Sequence, residues 1–257
     1  MNQQIKIEDK GLPEKKKMEA LGRLSCKVAH DFNNILGAIE GYATLAMGAL
    51  KADDPVRADL QEIRVSVAKA AAIGKHLTAF GGRQMLHKAL CDVNELIANT
   101  LKRAELAQDE KYRIEERLEP GLPGIMADAA HFEQALAGLL LNAREAMPGG
   151  GTAVISASAR KLEAGEIGSP KPEEAGALFV KITVSDGGAG VSAEAFEHLF
   201  EPMFSTSKKG LGTGFGLALL YGLAKQHNGW VEAKSEPGRG SEFSLYLPAV
   251  NGAKPAA

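Results

Sequence analysis

Residues 18–50, MEALGRLSCKVAHDFNNILGAIEGYATLAMGAL, place apolar side chains at Leu21, Leu24, Val28, Phe32, Ile35, Ile39, Tyr42, Ala46 and Ala49. Steps of three and four are the helical period, so the stretch reads as one long helix with a single apolar seam, roughly 50 Å long at 1.5 Å per residue. A helix of that length exceeds the ordinary globular range, and its seam needs a partner. The partner follows directly. Asp54 can cap a new helix, Pro55 suits its first position, and Leu60, Ile63, Val67, Ala70, Gly74 and Leu77 repeat the spacing. Residues 51–54 then form the turn of an antiparallel helical hairpin. Two single-seam helices bury too little to stand alone in water, so two hairpins from two chains are expected to close a four-helix bundle, making the protein a homodimer. The spacing alone also fits an interdomain coiled coil that carries no chemistry.

Beyond the Gly81-Gly82 break the pattern turns to mixed α and β. Helices are expected at 92–104, 131–147, 193–200 and 216–226. Strands are expected at 111–118, 152–159, 178–185 and, as a terminal hairpin around EPGRGS, at 230–234 and 242–247. The alternation lacks regular βαβ crossovers and favours a two-layer α/β sandwich, with residues 162–176 as an exposed loop. The chain therefore divides into a polar segment or linker (1–17), a helical domain (18–83), an α+β domain (84–248) and a frayed tail (249–257).

Composition narrows the function classes. The 257 residues are 45% hydrophobic, and 30 basic against 32 acidic side chains leave a net charge of -2. That balance gives no electrostatic reason to expect nucleic acid or an anionic membrane as partner. Cys26 and Cys91 read as free thiols of a reducing compartment, so the expected location is cytoplasmic. No run approaches the roughly 18 apolar residues of a membrane span, and the first residues lack a signal-peptide core; no membrane contact by this chain itself is expected.

Polar residues then interrupt segments otherwise committed to packing. In AHDFNNILGAIEGYA, residues 29–43, His30 lies about 200° around the helix from Val28 and points away from the seam, with Asn34 one turn further along its face. Asp31 stands close enough to hold the imidazole tautomer or take its proton, as a nucleophilic imidazole requires. A solvated helix face with an incidental histidine is the plainer reading of His30 alone. Asn142, in LLLNAREAM, offers a hard amide oxygen suited to Mg²⁺, or equally a buried hydrogen bond. Asp186, at a strand end before Gly187, Gly188, Ala189 and Gly190, can accept from an exocyclic amine such as adenine N6, though Asp-Gly is also a common turn. Gly210, Gly212, Gly214 and Gly216 precede an apolar helix whose N–H groups could meet phosphate, without P-loop or Rossmann spacing.

Taken in order, these segments resemble a known family. HDFNN at 30–34 resembles the phosphoacceptor helix of histidine kinases of two-component systems. The helix bearing Asn142, the D-x-G-x-G at 186–190 and FEPMFSTSKKGLGTGFGLAL at 200–219 resemble the N, G1, F and G2 boxes of the Bergerat-type ATP-binding domain. The resemblance covers residues 18–248. It implies an ATP- and Mg²⁺-dependent histidine autokinase in which His30 is the phosphoacceptor, Asp31 its base, and Asn34 the residue that orients water to dephosphorylate the partner. It further implies that Asn142 binds Mg²⁺, that Asp186 binds adenine, and that Gly188, Gly190, Gly212, Gly214 and Gly216 shape the pocket and a lid at 202–213. Lys208 or Lys209 would meet the phosphates, beside Thr213. The implied partner is a response-regulator receiver domain, whose aspartate takes the phosphoryl group.

Three positions depart from the family pattern: Gly138 where a second Asn is common, Gly187 for Thr or Asn, and Phe215 for Leu. Gly138 is the main support for an alternative, a non-catalytic dimeric phosphotransfer or docking module with a decayed nucleotide site.

Overall fold

The computed structural model describes residues 3–6, 12–51, 53–80, 86–103, 111–162, 176–201, 204 and 216–250. They fall into two compact units, one of residues 17–84 and one of residues 1–16 with 85–257.

The first unit is the hairpin. Its helices are α1 (Leu12–Ala49) and α2 (Val56–Phe80). α1 starts at Leu12, inside the segment read from sequence as linker, with Pro13 in the first turn, where a missing N–H leaves no intrahelical bond unmade. The turn is built as its residues predict: the Asp54 carboxylate accepts from the Val56 amide at 2.9 Å. Arg57 donates to the Met47 and Leu50 carbonyls at 2.7 and 3.3 Å, satisfying the last turn of α1, whose carbonyls lack helical partners. Arg64 bridges to Glu40 on the facing helix at 2.8 Å; both are more than a third exposed, so the pair contributes at most a few tenths of a kcal/mol.

The seam differs from the expected one. Ala29, Leu36 and Ala43, seven residues apart, are buried on α1, and Gly74 is buried on α2. The residues predicted to form the seam, Leu24, Val28, Phe32, Ile35, Ile39 and Tyr42, are exposed, Tyr42 by 74%. A helix with one neighbour in its own chain can bury one stripe. Here that stripe is the narrow one, because small side chains let two backbones approach, and the bulky stripe beside it stays uncovered.

The second unit carries an eight-stranded sheet. Its strands are β1 (Gln3–Lys6), β2 (Ala89–Cys91), β3 (Tyr112–Leu118), β4 (Gly124–Ala127), β5 (Gly151–Lys161), β6 (Leu178–Asp186), β7 (Trp230–Glu236) and β8 (Gly240–Val250). The main path runs β1-β7-β8-β6-β5-β3; β4 joins β2 to the end of β8. Among the described residues only β3 and β5 pair in parallel. β1 also lies within the presumed linker and runs antiparallel to β7, with Gln3 opposite Ser235.

Helices α3 (Val93–Arg103), α4 (Ala129–Ala146) and α6 (Gly216–Gln226) form the second layer, with α4 over β5 and β6 and α6 over β7 and β8. This is the expected two-layer arrangement. The short α5 (Ala193–Phe196) covers half of the helix expected at 193–200. Phe132, Leu136, Leu139 and Leu140 of α4 and Leu219, Leu220 and Leu223 of α6 are buried against Ile155, Ile182, Val184 and Leu245 of the sheet. Each such side chain contributes about 1.5–3 kcal/mol by leaving water. The opposite face holds an aromatic cluster in which Trp230 stacks on Tyr246 at 4.5 Å and Phe179 meets Trp230 edge-on at 4.9 Å.

Polar groups pin the start of α4. Asp128 caps it, accepting from the His131 and His87 amides at 3.1 and 2.9 Å, and the Asp128 amide donates to His227 Nε2 at 3.3 Å. The other nitrogen, His227 Nδ1, lies 2.8 Å from the Leu223 carbonyl, so the ring is neutral with its proton on Nδ1. His131 is buried, and neither of its ring nitrogens has a partner. Burial pushes both imidazoles below the ordinary histidine range, opposed in part by Asp128 at His131 and by the Leu223 carbonyl at His227. The unfolded chain therefore binds more protons below about pH 6.5. Stability is complete above that pH and is lost as pH falls through the lower folded values. The melting temperature is expected to drop between about pH 7.5 and about pH 5.5, with a smaller drop in His131→Leu. An identical pH profile in that variant would remove His131 from the account.

Candidate active site

His30 sits midway along α1 and is 74% exposed. It stands one residue past the buried Ala29, about 100° around the helix, so the packing that seats α1 on α2 turns the imidazole outward. The neighbouring Asn33 is half-buried, and Gly74 on α2 makes room for it: a Cβ there would run into the Asn33 amide oxygen. Asp31 Oδ1 lies 3.2 Å from His30 Nδ1, and Asn34 Nδ2 lies 3.5 Å from the same nitrogen. One ring nitrogen cannot serve both. It either carries a proton and donates to Asp31, or holds a lone pair and accepts from Asn34. The shorter, charge-assisted contact is the one to Asp31, which puts the proton on Nδ1 and leaves the lone pair, the nucleophilic position, on Nε2. The structure thus brings His30, Asp31 and Asn34 together.

The second group of residues is in the other unit. α4 presents Asn142, half-buried, near its C-terminal end, beside the first residue of α6. A Cβ at Gly216 would lie 3.0 Å from Asn142 Nδ2 and 3.1 Å from the Gly138 carbonyl oxygen, and a Cβ at Gly138 would lie 3.0 Å from Gly216 Cα. The two helices cross backbone to backbone at these glycines. Gly138 therefore has a packing reason: a larger residue there would press α6 away from Asn142.

Asp186 ends β6, half-buried. Its Oδ1 accepts from the Gly188 amide at 2.9 Å. Burial raises its pKa, while hydrogen bonds from the Gly188 and Ser241 backbones pull it back. Gly188 passes close under the C-terminus of α4, where a Cβ would sit 2.5 Å from the Ala146 carbonyl oxygen, and the Ala189 amide donates to that oxygen at 3.0 Å. Gly190 has φ +65° and abuts the Glu236 carbonyl. The loop therefore packs as bare backbone between α4 and the β7–β8 turn, an arrangement that leaves the Asp186 carboxylate beside an uncluttered main chain. Of the remaining predicted pocket residues, Lys208, Gly212, Thr213 and Gly214 lie outside the described residues, as does the segment 205–213 of the expected lid. Ser235, Gly240 and Ser241 back the Asp186 loop. In the sequence they are marked by nothing more than the turn EPGRGS at 236–241, which directly follows Ser235.

Residues 127–251 match the family described as histidine kinase-, DNA gyrase B-, and HSP90-like ATPase. Over 247 residues the chain is 36% identical to sensor kinase CckA of Brucella abortus (strain 2308), covering 93% of this chain and 25% of the relative. The chain therefore carries a domain of that ATPase family and is related over most of its length to sensor histidine kinases. Sensor histidine kinase ZraS of Klebsiella oxytoca is 32% identical to this chain over 246 residues, covering 93% of the chain and 48% of the relative. The chain thus spans between a quarter and a half of these two curated relatives. The fold is also similar to that of full-length ShkA, solved in complex with AMPPNP: TM-score 0.64, 23% identity, 91% of this chain and 47% of that one. Among the described residues no helix is long and apolar enough to cross a membrane.

Proposed function

We infer that this chain is the core of an ATP-dependent protein histidine autokinase, with residues 18–83 as dimerisation and phosphoacceptor domain and residues 84–248 as ATP-binding domain. The observation that carries the reading is the exposed imidazole of His30 held through Nδ1 by Asp31 at 3.2 Å. Nε2 attacks the γ-phosphorus of ATP, the bond to the bridging oxygen breaks, and ADP leaves. The new N–P bond makes the ring cationic until Asp31 stabilises or accepts the Nδ1 proton. The phosphoryl group then passes to an aspartate of a response-regulator receiver domain, restoring the imidazole. Asn34, one turn from His30, is placed to orient the water that would dephosphorylate that regulator.

On this reading Asp186 accepts from adenine N6, and Gly188, Gly190 and Gly216 keep the backbone open for the nucleotide, with Lys208, Gly212, Thr213 and Gly214 contributing from the lid. Mg²⁺ fits the donor set as an ion carried by the phosphates. The described residues hold no acidic or histidine cluster for a preloaded metal, and Asn142 supplies one hard amide oxygen at the crossing of α4 and α6. When bound, the ion neutralises phosphate charge. The proposed cellular location is the cytoplasm.

Asp31→Asn keeps the shape but cannot take the proton. It is expected to slow autophosphorylation by about 10²–10⁴-fold with ATP affinity unchanged, as measured by single-turnover labelling and a nucleotide titration. A wild-type rate would remove Asp31 as base.

The uncovered stripe from Leu24 to Tyr42 supports the homodimer, since a second hairpin would bury it as a four-helix bundle. Ile35 and Ile39, 58% and 40% exposed, lie in this stripe. The double substitution Ile35→Glu with Ile39→Glu is expected to yield monomers by analytical ultracentrifugation where the parent chain sediments as a dimer. Unchanged sedimentation would place the interface elsewhere.

A further inference from the structure

We propose that Ser235 is a positioning residue for adenine recognition, fixing the Asp186 carboxylate through the β7–β8 turn. The inference rests on the reading of Asp186 as the adenine contact and goes beyond it by naming what holds that carboxylate in place. Asp186 pairs with Ser241, and Ser241 pairs with Ser235, so the three stand side by side on β6, β8 and β7. They share the helix-covered face with Val184, Phe243 and Ala233, each two residues away along its own strand.

Ser235 is 5% exposed, and its hydroxyl uses its whole bonding capacity. It accepts from the Val191 amide at 2.9 Å, donates to the Gly240 carbonyl at 3.0 Å, and lies 3.0 Å from Ser241 Oγ, which donates to it because the single Ser235 proton is committed. Val191 closes the D-x-G-x-G loop at one end. At the other end the Ser241 amide bonds the Asp186 carboxylate, and Gly240, at φ +96°, lies so close to the Asp186 carbonyl that a Cβ would collide with it. Between them the Gly238 amide donates to the Ala189 carbonyl at 2.8 Å, and Gly190 abuts Glu236. The loop is thus clamped along its length, and one hydroxyl joins both clamps.

Removing that hydroxyl leaves two backbone groups, the part-buried Val191 amide and the buried Gly240 carbonyl, without this partner. In the full chain, Ser235→Ala is expected to raise the Kd for ATP about tenfold and to narrow the preference for ATP over GTP, while Ser235→Thr restores both. The preference is the discriminating readout. A general loss of fold weakens ATP and GTP alike, whereas a displaced carboxylate loses the acceptor that distinguishes an amine from a carbonyl at the same ring position. Ser235→Cys, which retains the shape with a weak donor, is titrated in parallel and carries the test where the alanine variant fails to fold. The proposal is overturned if Asp186→Asn abolishes the preference while Ser235→Ala and Ser235→Cys keep wild-type values. If Asp186→Asn itself leaves the preference intact, the adenine assignment falls and this proposal with it.

Discussion

His30→Gln is expected to reduce labelling from γ-labelled ATP and Mg²⁺ to background while the Kd for ATP stays at its wild-type value. Glutamine matches imidazole in size and polarity, but its nitrogen lone pair is delocalised into the carbonyl and cannot attack phosphorus. His30 is 74% exposed on the hairpin, so the substitution disturbs no packing. It also lies in a different compact unit from Asp186 and Asn142, so nucleotide affinity has no reason to change. Persistent labelling would move the phosphoacceptor to another residue. Lost labelling together with lost binding would mean that the variant had damaged more than the nucleophile.

Asp186→Asn is expected to weaken ATP binding by about 10- to 150-fold, the effect of about 1.5–3 kcal/mol associated with a hydrogen bond to a charged group. A carboxylate is an acceptor at every position, and this one accepts from the Gly188 amide and the Ser241 backbone with capacity left for an exocyclic amine. An amide in its place turns one of those positions into a donor facing a donor. Isothermal titration of the full chain with ATP reads the change directly. An affinity within twofold of wild type would exclude Asp186 as the adenine contact, since a group already carrying the cost of burial would then be doing nothing for the base.

Several features were legible in the residues because a single local rule governs them. The hairpin turn followed from Asp54 and Pro55. His30 is exposed as expected, but the buried residue that sets its direction is Ala29, about 100° away, and not the exposed Val28. α4, α6 and the central strands announced themselves by apolar patterning. What stayed hidden depends on neighbours. The stripe that α1 buries was misassigned because Val28 and Ala29 both belong to apolar stripes about 100° apart, and only the presence of one helix beside α1 decides which is covered. The strands β1, β2 and β4 are three or four residues long, too short to show a period, and pairing across the sheet defines them. Gly138 read as a defect because the residue it meets, Gly216, is far along the chain, and the close crossing exists only once α4 and α6 pack. Ser235 was passed over for a similar reason: its bonds to Val191, Gly240 and Ser241 are a product of strand register.

The central claim is that the hairpin histidine and the nucleotide site belong to one phosphoryl-transfer machine. The most direct test is to incubate the intact chain with γ-labelled ATP and Mg²⁺ and to locate the label by mass spectrometry under non-acidic conditions. The account predicts a phosphoryl group on the His30 imidazole, lost in acid and retained in alkali. A chain that binds ATP yet shows no phosphoryl group on His30, or carries it on a serine, threonine or aspartate instead, would contradict it.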